Sequence, residues 1–255
     1  MPIEQKVDGP DPVHPHPVLR RYYSSDEDRP QVVRDLFDAG APFYERICRI
    51  MSFGTGERYR REALCGVGLQ RGTRILDLAT GTGLMLRSAA EISGPVGLAV
   101  GADISVEMLR ECGKRCAAPR LNAAAEQLPF ADDAFDIVSI GYALRHVGDL
   151  RVLFAECARV LKPGGRLLVL EITEPRSRAG RWLTRLYLKT LVPAVAQVTT
   201  GAAAARTMMA YFWDTIEACV PPEVILRTMK AVGFADATRR TKGAILSEYV
   251  GTKSA

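Results

Sequence analysis

The spacing of apolar positions changes several times along the chain, and each change marks an element. From Pro30 onward Val33, Leu36, Phe37, Phe43, Ile47 and Ile50 recur at helical intervals, with a turn expected near Gly40-Ala41-Pro42. Ser52-Phe53-Gly54-Thr55-Gly56 interrupts the pattern, and a helix is expected again over Glu57 to Val67. A strand–helix alternation follows. Strands are predicted at Arg74 to Leu78, Val96 to Asp103, Arg120 to Ala124, Phe135 to Gly141 and Arg166 to Ile172. Between them, helices are predicted at Leu84 to Ile92, at Ser105 to Cys116 with Ser105 as N-cap, and at Leu150 to Leu161, stopped by Lys162-Pro163-Gly164-Gly165. The last of these strands is a near-continuous apolar run, as expected of a strand covered on both faces of a parallel sheet.

Beyond Thr173 the rhythm is helical. Trp182 to Val198, Thr207 to Ala218 and Glu223 to Ala231 precede two closing strands, near Ala237 to Thr241 and Ile245 to Gly251. Alternation at this spacing predicts a Rossmann-like α/β fold: a mostly parallel seven-stranded sheet with helices on both faces. Residues 1–30, with five prolines before Leu19, are expected to be a flexible tail, and residues 31–255 one domain. Within it, 31–70 form an N-terminal helical cap and about 176–218 a helical lid insertion.

Composition narrows the function classes. The 255 residues carry 34 basic and 29 acidic side chains, a net charge of +5. That mild excess, without groove-reading motifs, argues against a nucleic-acid partner. Much of it is local, at Arg176, Arg178, Arg181, Arg185 and Lys189. The cysteines Cys48, Cys65, Cys112, Cys116, Cys157 and Cys219 form no CxxC pair, and with three histidines no metal site is expected. Reduced thiols and the lack of an apolar leader in Met1 to Pro17 suggest a cytoplasmic protein. The longest uncharged run, Thr190 to Ala205, is too short to span a bilayer. Peripheral contact with the inner face of a membrane, and a homodimer, are left open.

The candidate chemistry begins where the first strand ends, at Asp77-Leu78-Ala79-Thr80-Gly81-Thr82-Gly83. In an open α/β sheet a ligand binds at the carboxyl ends of the strands, near the switch in strand order. Gly81 and Gly83 let backbone approach a ligand closely, and Asp77 suits an amine or a hydroxyl. Asp103, ending the second strand, is placed to accept both hydroxyls of a ribose. A dinucleotide loop needs a third glycine to pack helix on strand over a pyrophosphate, and Leu86 stands there instead. A nucleoside sulfonium has no pyrophosphate and needs no such glycine. Glu126-Gln127-Leu128-Pro129-Phe130 lies where a third strand delivers backbone to an adenine.

Met51-Ser52-Phe53-Gly54, Ile75-Leu76-Asp77-Leu78, Gly81-Thr82-Gly83, Asp103-Ile104-Ser105, Leu128-Pro129-Phe130, Leu144-Arg145 and Arg159-Val160-Leu161-Lys162-Pro163-Gly164-Gly165-Arg166 together resemble the ubiquinone/menaquinone biosynthesis C-methyltransferase family. The resemblance runs over roughly residues 33–250. It implies a class I methyltransferase that uses S-adenosyl-L-methionine and acts on a quinol-like or phenolic, lipophilic acceptor. The family's cofactor contacts fall on Thr82, Asp103, Ala124, Ala125 and Gly141. With their neighbours, the expected cofactor set is Asp77, Ala79, Thr80, Gly81, Thr82, Gly83, Asp103, Ile104, Met108, Ala124, Ala125, Glu126 and Gly141.

Some positions depart from the family. Ala124 replaces a polar residue, Gly141 a hydroxyl-bearing one, Leu84 an Asp, His146 an Asn and Cys48 another Asn. Those near the acceptor side keep two alternatives open: an O- or N-methyltransferase acting on another small molecule, and a cofactor-binding partner protein without catalysis. Ring-carbon methylation is helped by removing a proton from an adjacent hydroxyl and by stabilising the oxyanion that results. Arg145 is expected to stabilise that oxyanion and His146 to accept the proton. Tyr44, Tyr142 and Tyr211 are expected to line the acceptor pocket.

Overall fold

The computed structural model describes residues 11–173, 175, 177–194, 203–243 and 245–254. In order, the elements that matter are α1 (Arg29–Met51), α2 (Gly56–Gly66), β1 (Arg74–Leu78), α3 (Leu84–Ser93), β2 (Leu98–Asp103), α4 (Val106–Gly113), β3 (Arg120–Asn122) and β4 (Phe135–Gly141). A 3-10 turn at Leu144–His146 leads to α5 (Leu150–Val160) and β5 (Leu161–Ile172). Then come α6 (Arg178–Arg185), α7 (Ala203–Ala218), α8 (Pro222–Ala231), β6 (Thr238–Lys242) and β7 (Leu246–Thr252). The strands lie in the order β3-β2-β1-β4-β5-β7-β6, with β7 alone running against the others. The order reverses between β1 and β4, so their carboxyl ends flank a crevice.

Both faces of the sheet are buried, which is why its central strands are apolar throughout. Leu76, Leu78, Val138, Ile140, Leu167 and Val169 pack with α5 and α8. Ile75, Ile137, Leu168 and Leu170 face the other way, toward α2 and α3. Each such side chain contributes on the order of 2 kcal/mol by leaving water. Ser105 caps α4 as its spacing predicted, accepting from the Met108 N–H at 3.0 Å. Lys162 to Gly165 interrupt the pairing of β4 with β5: Phe135 lies opposite Leu161, and the next partners are Ile137 and Arg166.

Two expectations need correction. The turn expected at Gly40-Ala41-Pro42 does not form, because α1 continues through Pro42. Those small residues serve packing: a Cβ on Gly40 would sit 2.3 Å from Met208 Sδ on α7, so glycine lets the two helices close up.

The described part of the expected tail, residues 11–28, is not free either. Val13 is fully buried, its N–H donates to Asp149 Oδ1 at 3.1 Å, and its carbonyl accepts from Leu150 N at 2.9 Å. Pro15 O accepts from Val220 N at 2.8 Å, and the buried Arg29 guanidinium donates to His16 O and Val147 O. Prolines remove backbone donors, but this segment needs few, since apart from the Val13 N–H it binds the body through side chains and isolated carbonyls. It forms a strap across the β4–α5 loop. Residues 1–10 and 195–202 lie outside the described residues, so those parts of the expected tail and lid are not located.

Candidate active site

The glycine loop after β1 is held from both sides. Gly81 N–H donates to Asp103 Oδ2 at 2.7 Å and Thr80 N–H to Ala102 O at 3.0 Å. Ala79, Gly81 and Gly83 all have positive φ, and a Cβ on Gly83 would meet Cys112 Sγ at 2.6 Å. Gly83 is therefore required by both the turn and its contact with α4. Leu86 is fully buried where a dinucleotide loop has its third glycine, and Gly101 on β2 supplies the room, since a Cβ there would lie 2.8 Å from Leu86.

Two buried carboxylates face this loop. Asp77 accepts from the Thr80 and Ser139 hydroxyls, each at 2.7 Å. Asp103 accepts from Gly81 N and from Ser105 N at 2.8 Å. Burial raises each to about 6, from an ordinary value near 3.8. Asp103 has one oxygen on each donor, which fixes the carboxylate plane and leaves a further lone pair on each oxygen.

A cavity of about 690 Å³ opens beside these groups, within the range of small-molecule sites. Ala79, Gly81, Asp103, Ile104, Met108 and Gly141 line its inner end. The segment Ala123 to Gln127 forms the neighbouring wall, so Ala124, Ala125 and Glu126 stand where expected. Glu126 is engaged, its Oε1 accepting from Gly148 N at 2.9 Å. The outer end has the apolar residues Val33, Phe37, Val147 and Val152, and the strap adds His14, Asp26 and Glu27.

A narrow recess of about 30 Å³ shares Ala79, Gly81, Gly141, Tyr44 and Tyr142 with the main cavity and adds Asp77, Thr80 and Thr82. Gly83 lines neither space and acts from behind the loop. Tyr142 has φ +63 just after β4, and its N–H donates to Leu170 O at 2.8 Å. The turn this makes faces its ring to both spaces.

The structure separates the expected acceptor residues. Tyr44, Tyr142 and His146 line the cavity. Tyr211 does not: it is fully buried on α7, stacked behind His146 with ring centroids 5.4 Å apart. Arg145 does not either, and the oxyanion role expected of it is corrected. Its guanidinium is fully buried, pairs with the equally buried Glu171 at 2.9 Å, and donates to Phe212 O, Thr215 Oγ1 and Tyr142 O. Its donors tie the β4 end to β5 and α7.

His146 is set among Phe37, Tyr211 and Phe212, and neither ring nitrogen has a partner in the protein. Burial, reinforced by the Arg145 charge, holds it well below the usual imidazole value, so the ring is neutral at pH 7.

Sequence reasoning missed Arg60, which also lines the recess. The signal was there: Arg60 shares the buried face of α2 with Gly56, Ala63 and Leu64, at i−4, i+3 and i+4. Cys48 is beside Tyr44, and burial pushes its thiol up to about 11.

The model of the ubiE/COQ5 methyltransferase family matches residues 23–253. The chain belongs to that family. Among its relatives, a demethylmenaquinone methyltransferase from Mycobacterium sp. (strain KMS) is 34% identical, over 88% of this chain and 95% of that protein. A ubiquinone/menaquinone biosynthesis C-methyltransferase UbiE from Syntrophotalea carbinolica is 36% identical with the same coverage.

Solved structures share the fold. A SAM-dependent methyltransferase from Thermotoga maritima superimposes with TM-score 0.61 at 19% identity, over 87% of this chain and all of that one. Another from Aquifex aeolicus gives TM-score 0.58 at 14% identity, over 82% and 97%. This member of the ubiE/COQ5 family is a methyltransferase, and S-adenosylmethionine is the cofactor of its class.

The residues present fit that cofactor. Asp103 offers lone pairs for ribose hydroxyls, the wall from Ala123 to Gln127 offers backbone to a base, and the recess leaves a buried Thr82 hydroxyl without a partner. Among the described residues no cluster of metal ligands occurs, and no helix is long and apolar enough to cross a membrane.

Proposed function

We propose that this methyltransferase methylates a ring carbon of a demethylated quinol, the acceptor class named for its relatives. The observation that carries this reading is His146: a neutral imidazole that lines the apolar end of the cavity and whose two buried nitrogens have no partner in the protein. A ring carbon becomes nucleophilic when the neighbouring hydroxyl gives up its proton, and a neutral imidazole accepts from that hydroxyl. When bound, the sulfonium supplies an electrophilic methyl group. The protein's own part is to hold the acceptor against it and to exclude water. Val33, Phe37, Val147 and Val152 suit a flat apolar ring, and Arg145 keeps the turn bearing His146 fixed from behind.

Such an acceptor partitions into lipid, and one exposed face supports contact with a membrane surface. Trp182, Leu183 and Leu186 are 63%, 57% and 47% exposed on and just after α6, beside Arg178, Arg185 and Lys189. Phe53 stacks on Tyr187 at 5.6 Å and is also exposed. Cations flanking exposed apolar side chains suit an anionic lipid surface.

The test is methyl transfer from S-adenosylmethionine to demethylmenaquinol carried in anionic vesicles. A single new ring C–CH₃ group, located by NMR, is expected. Turnover only on hydroxyl or amine acceptors would replace this reading with O- or N-methylation.

A further inference from the structure

The turn that carries His146, Leu144–His146, is held on both sides by buried guanidinium groups. Before it, Arg145 donates to Tyr142 O at 3.3 Å. After it, Arg29 Nη1 donates to Val147 O at 3.2 Å. Arg145 belongs to the turn itself, whereas Arg29 is the first residue of α1 and lies 118 residues away from Val147 in the chain. Arg29 Nη2 donates to His16 O at 3.1 Å and pairs with Asp26, so one planar fork joins the strap to the turn.

Helix physics argues against an arginine at this position. A cation in the first turn opposes the helix macrodipole, and no acidic residue stands in that turn of α1 to offset it. The side chain is also fully buried, and taking a cation out of water is costly. Departures of this kind from local preference concentrate where function demands a particular contact. Here that contact is the carbonyl just after His146.

A second route leads from Arg29 to the same imidazole. The guanidinium lies over the Tyr23 ring, 5.5 Å from its centroid. Tyr23 and Tyr211 pack in one buried cluster, and Tyr211 stacks on His146 at 5.4 Å. The strap meets the residues that follow as well. His14 Nδ1 donates to Gly148 O at 2.8 Å, and Val13 bonds to Asp149 and Leu150.

We propose that Arg29 is a positioning residue for His146, fixing through Val147 O and the Tyr23 and Tyr211 rings the direction in which the imidazole faces the acceptor. The inference rests on the reading of His146 as the proton acceptor, and it makes the docked strap part of the catalytic apparatus. A reacting group displaced by about 1 Å loses up to about 100-fold in rate. Loss of the bridge is therefore read in kcat.

The test is a double-mutant cycle on the full chain. Turnover is measured on demethylmenaquinol in anionic vesicles, and S-adenosylhomocysteine affinity by calorimetric titration. Arg29→Met is expected to lower kcat roughly 5- to 20-fold. In the His146→Ala background the same substitution should change kcat by less than about twofold, because the group that Arg29 aims is gone. S-adenosylhomocysteine affinity should hold throughout. Arg29→Lys keeps a cation beside Asp26 but lacks the fork that spans two carbonyls. It should lower kcat roughly two- to fivefold, and it carries the cycle if Arg29→Met does not fold. Arg21→Gln, on the strap but paired with Asp214 on α7, should leave kcat unchanged. An equal loss with and without His146 would make Arg29 a general support of the fold and overturn the proposal. So would an unchanged kcat, or a parallel fall in S-adenosylhomocysteine affinity. If the parent did not turn the quinol over, or if His146→Ala kept full kcat, the base reading would fall and this inference with it. Additive losses on an impaired His146→Ala enzyme would remove this inference alone.

Discussion

The two ends of the cavity are built differently. At the inner end a few consecutive residues do most of the work: the loop from Asp77 to Gly83 and the carboxylate of Asp103 are bonded to each other through Gly81 N–H. At the outer end the walls come from several elements far apart in sequence. Val33 and Phe37 come from α1, His146 from the turn after β4, Val152 from α5 and His14 from the strap. Local bonding makes the inner end robust and recognisable, while the outer end depends on packing between distant elements. Perturbations at the two ends should therefore fail in different ways.

The largest expected effect belongs to the outer end's support. Arg145→Ala leaves Glu171 fully buried without its partner, and breaking such a pair costs about 3–5 kcal/mol. Chemical denaturation should show that loss. Arg145→Met combined with Glu171→Met should recover most of it, because removing both charges also removes their desolvation cost. An Arg145→Ala protein of full stability that had lost only turnover would return Arg145 to the catalytic role that its sequence position suggested.

Next in size is His146→Ala. If the imidazole draws the acceptor's proton, kcat should fall roughly 10- to 100-fold, toward the low end for general-base catalysis because burial makes the ring a weak base. S-adenosylhomocysteine affinity, measured on the same preparation, should not change. A parallel fall in cofactor affinity would mean that the two ends are not separable.

The inner end offers a pH test. Asp103 titrates at about 6 in the free protein, above its ordinary value. Ribose hydroxyls donate to the ionised form, so ligand binding competes with the proton. Affinity should be full well above pH 6 and weaken as pH falls through it. With this one group titrating, the loss is about tenfold between pH 7 and pH 5. Asp77, also raised to about 6, steepens the same fall if it faces the ligand's ammonium. An affinity flat across that range would mean that Asp103 accepts nothing from the ligand.

The contrast also explains what the sequence disclosed. The alternation of strands and helices, the cap at Ser105 and the pairing of the glycine loop with Asp103 are local patterns, and they led to the observed sheet and inner site. Arg145 misled because position along the chain says which strand end a residue follows, not which way it turns. It adjoins His146, yet its side chain points toward Glu171 and α7. Tyr211 misled for a similar reason, since an aromatic on a helix face packs equally well behind the His146 ring as beside the cavity. The strap was unreadable because its proline-rich composition has no period, and its order comes from contacts more than a hundred residues away.

That strap gives the smallest effect and the finest test of the comparison. His14 lies before residue 23, where the family match begins, yet it lines the outer cavity. Its Nδ1 sits 2.8 Å from Gly148 O and its Nε2 3.6 Å from Asp26, both partly exposed contacts. Partly exposed polar contacts of this kind contribute about 1 kcal/mol or less, so His14→Ala should scarcely change stability. The backbone bonds of Val13 and Pro15 keep the strap in place without that ring, so the substitution opens the cavity wall and leaves the strap docked. The expected result is a rise of roughly two- to fivefold in KM for the acceptor, with kcat and cofactor affinity unchanged, the signature of lost uniform binding. A change in cofactor affinity instead would place the strap over the nucleoside, and the division between a locally built inner end and an assembled outer end would have to be redrawn.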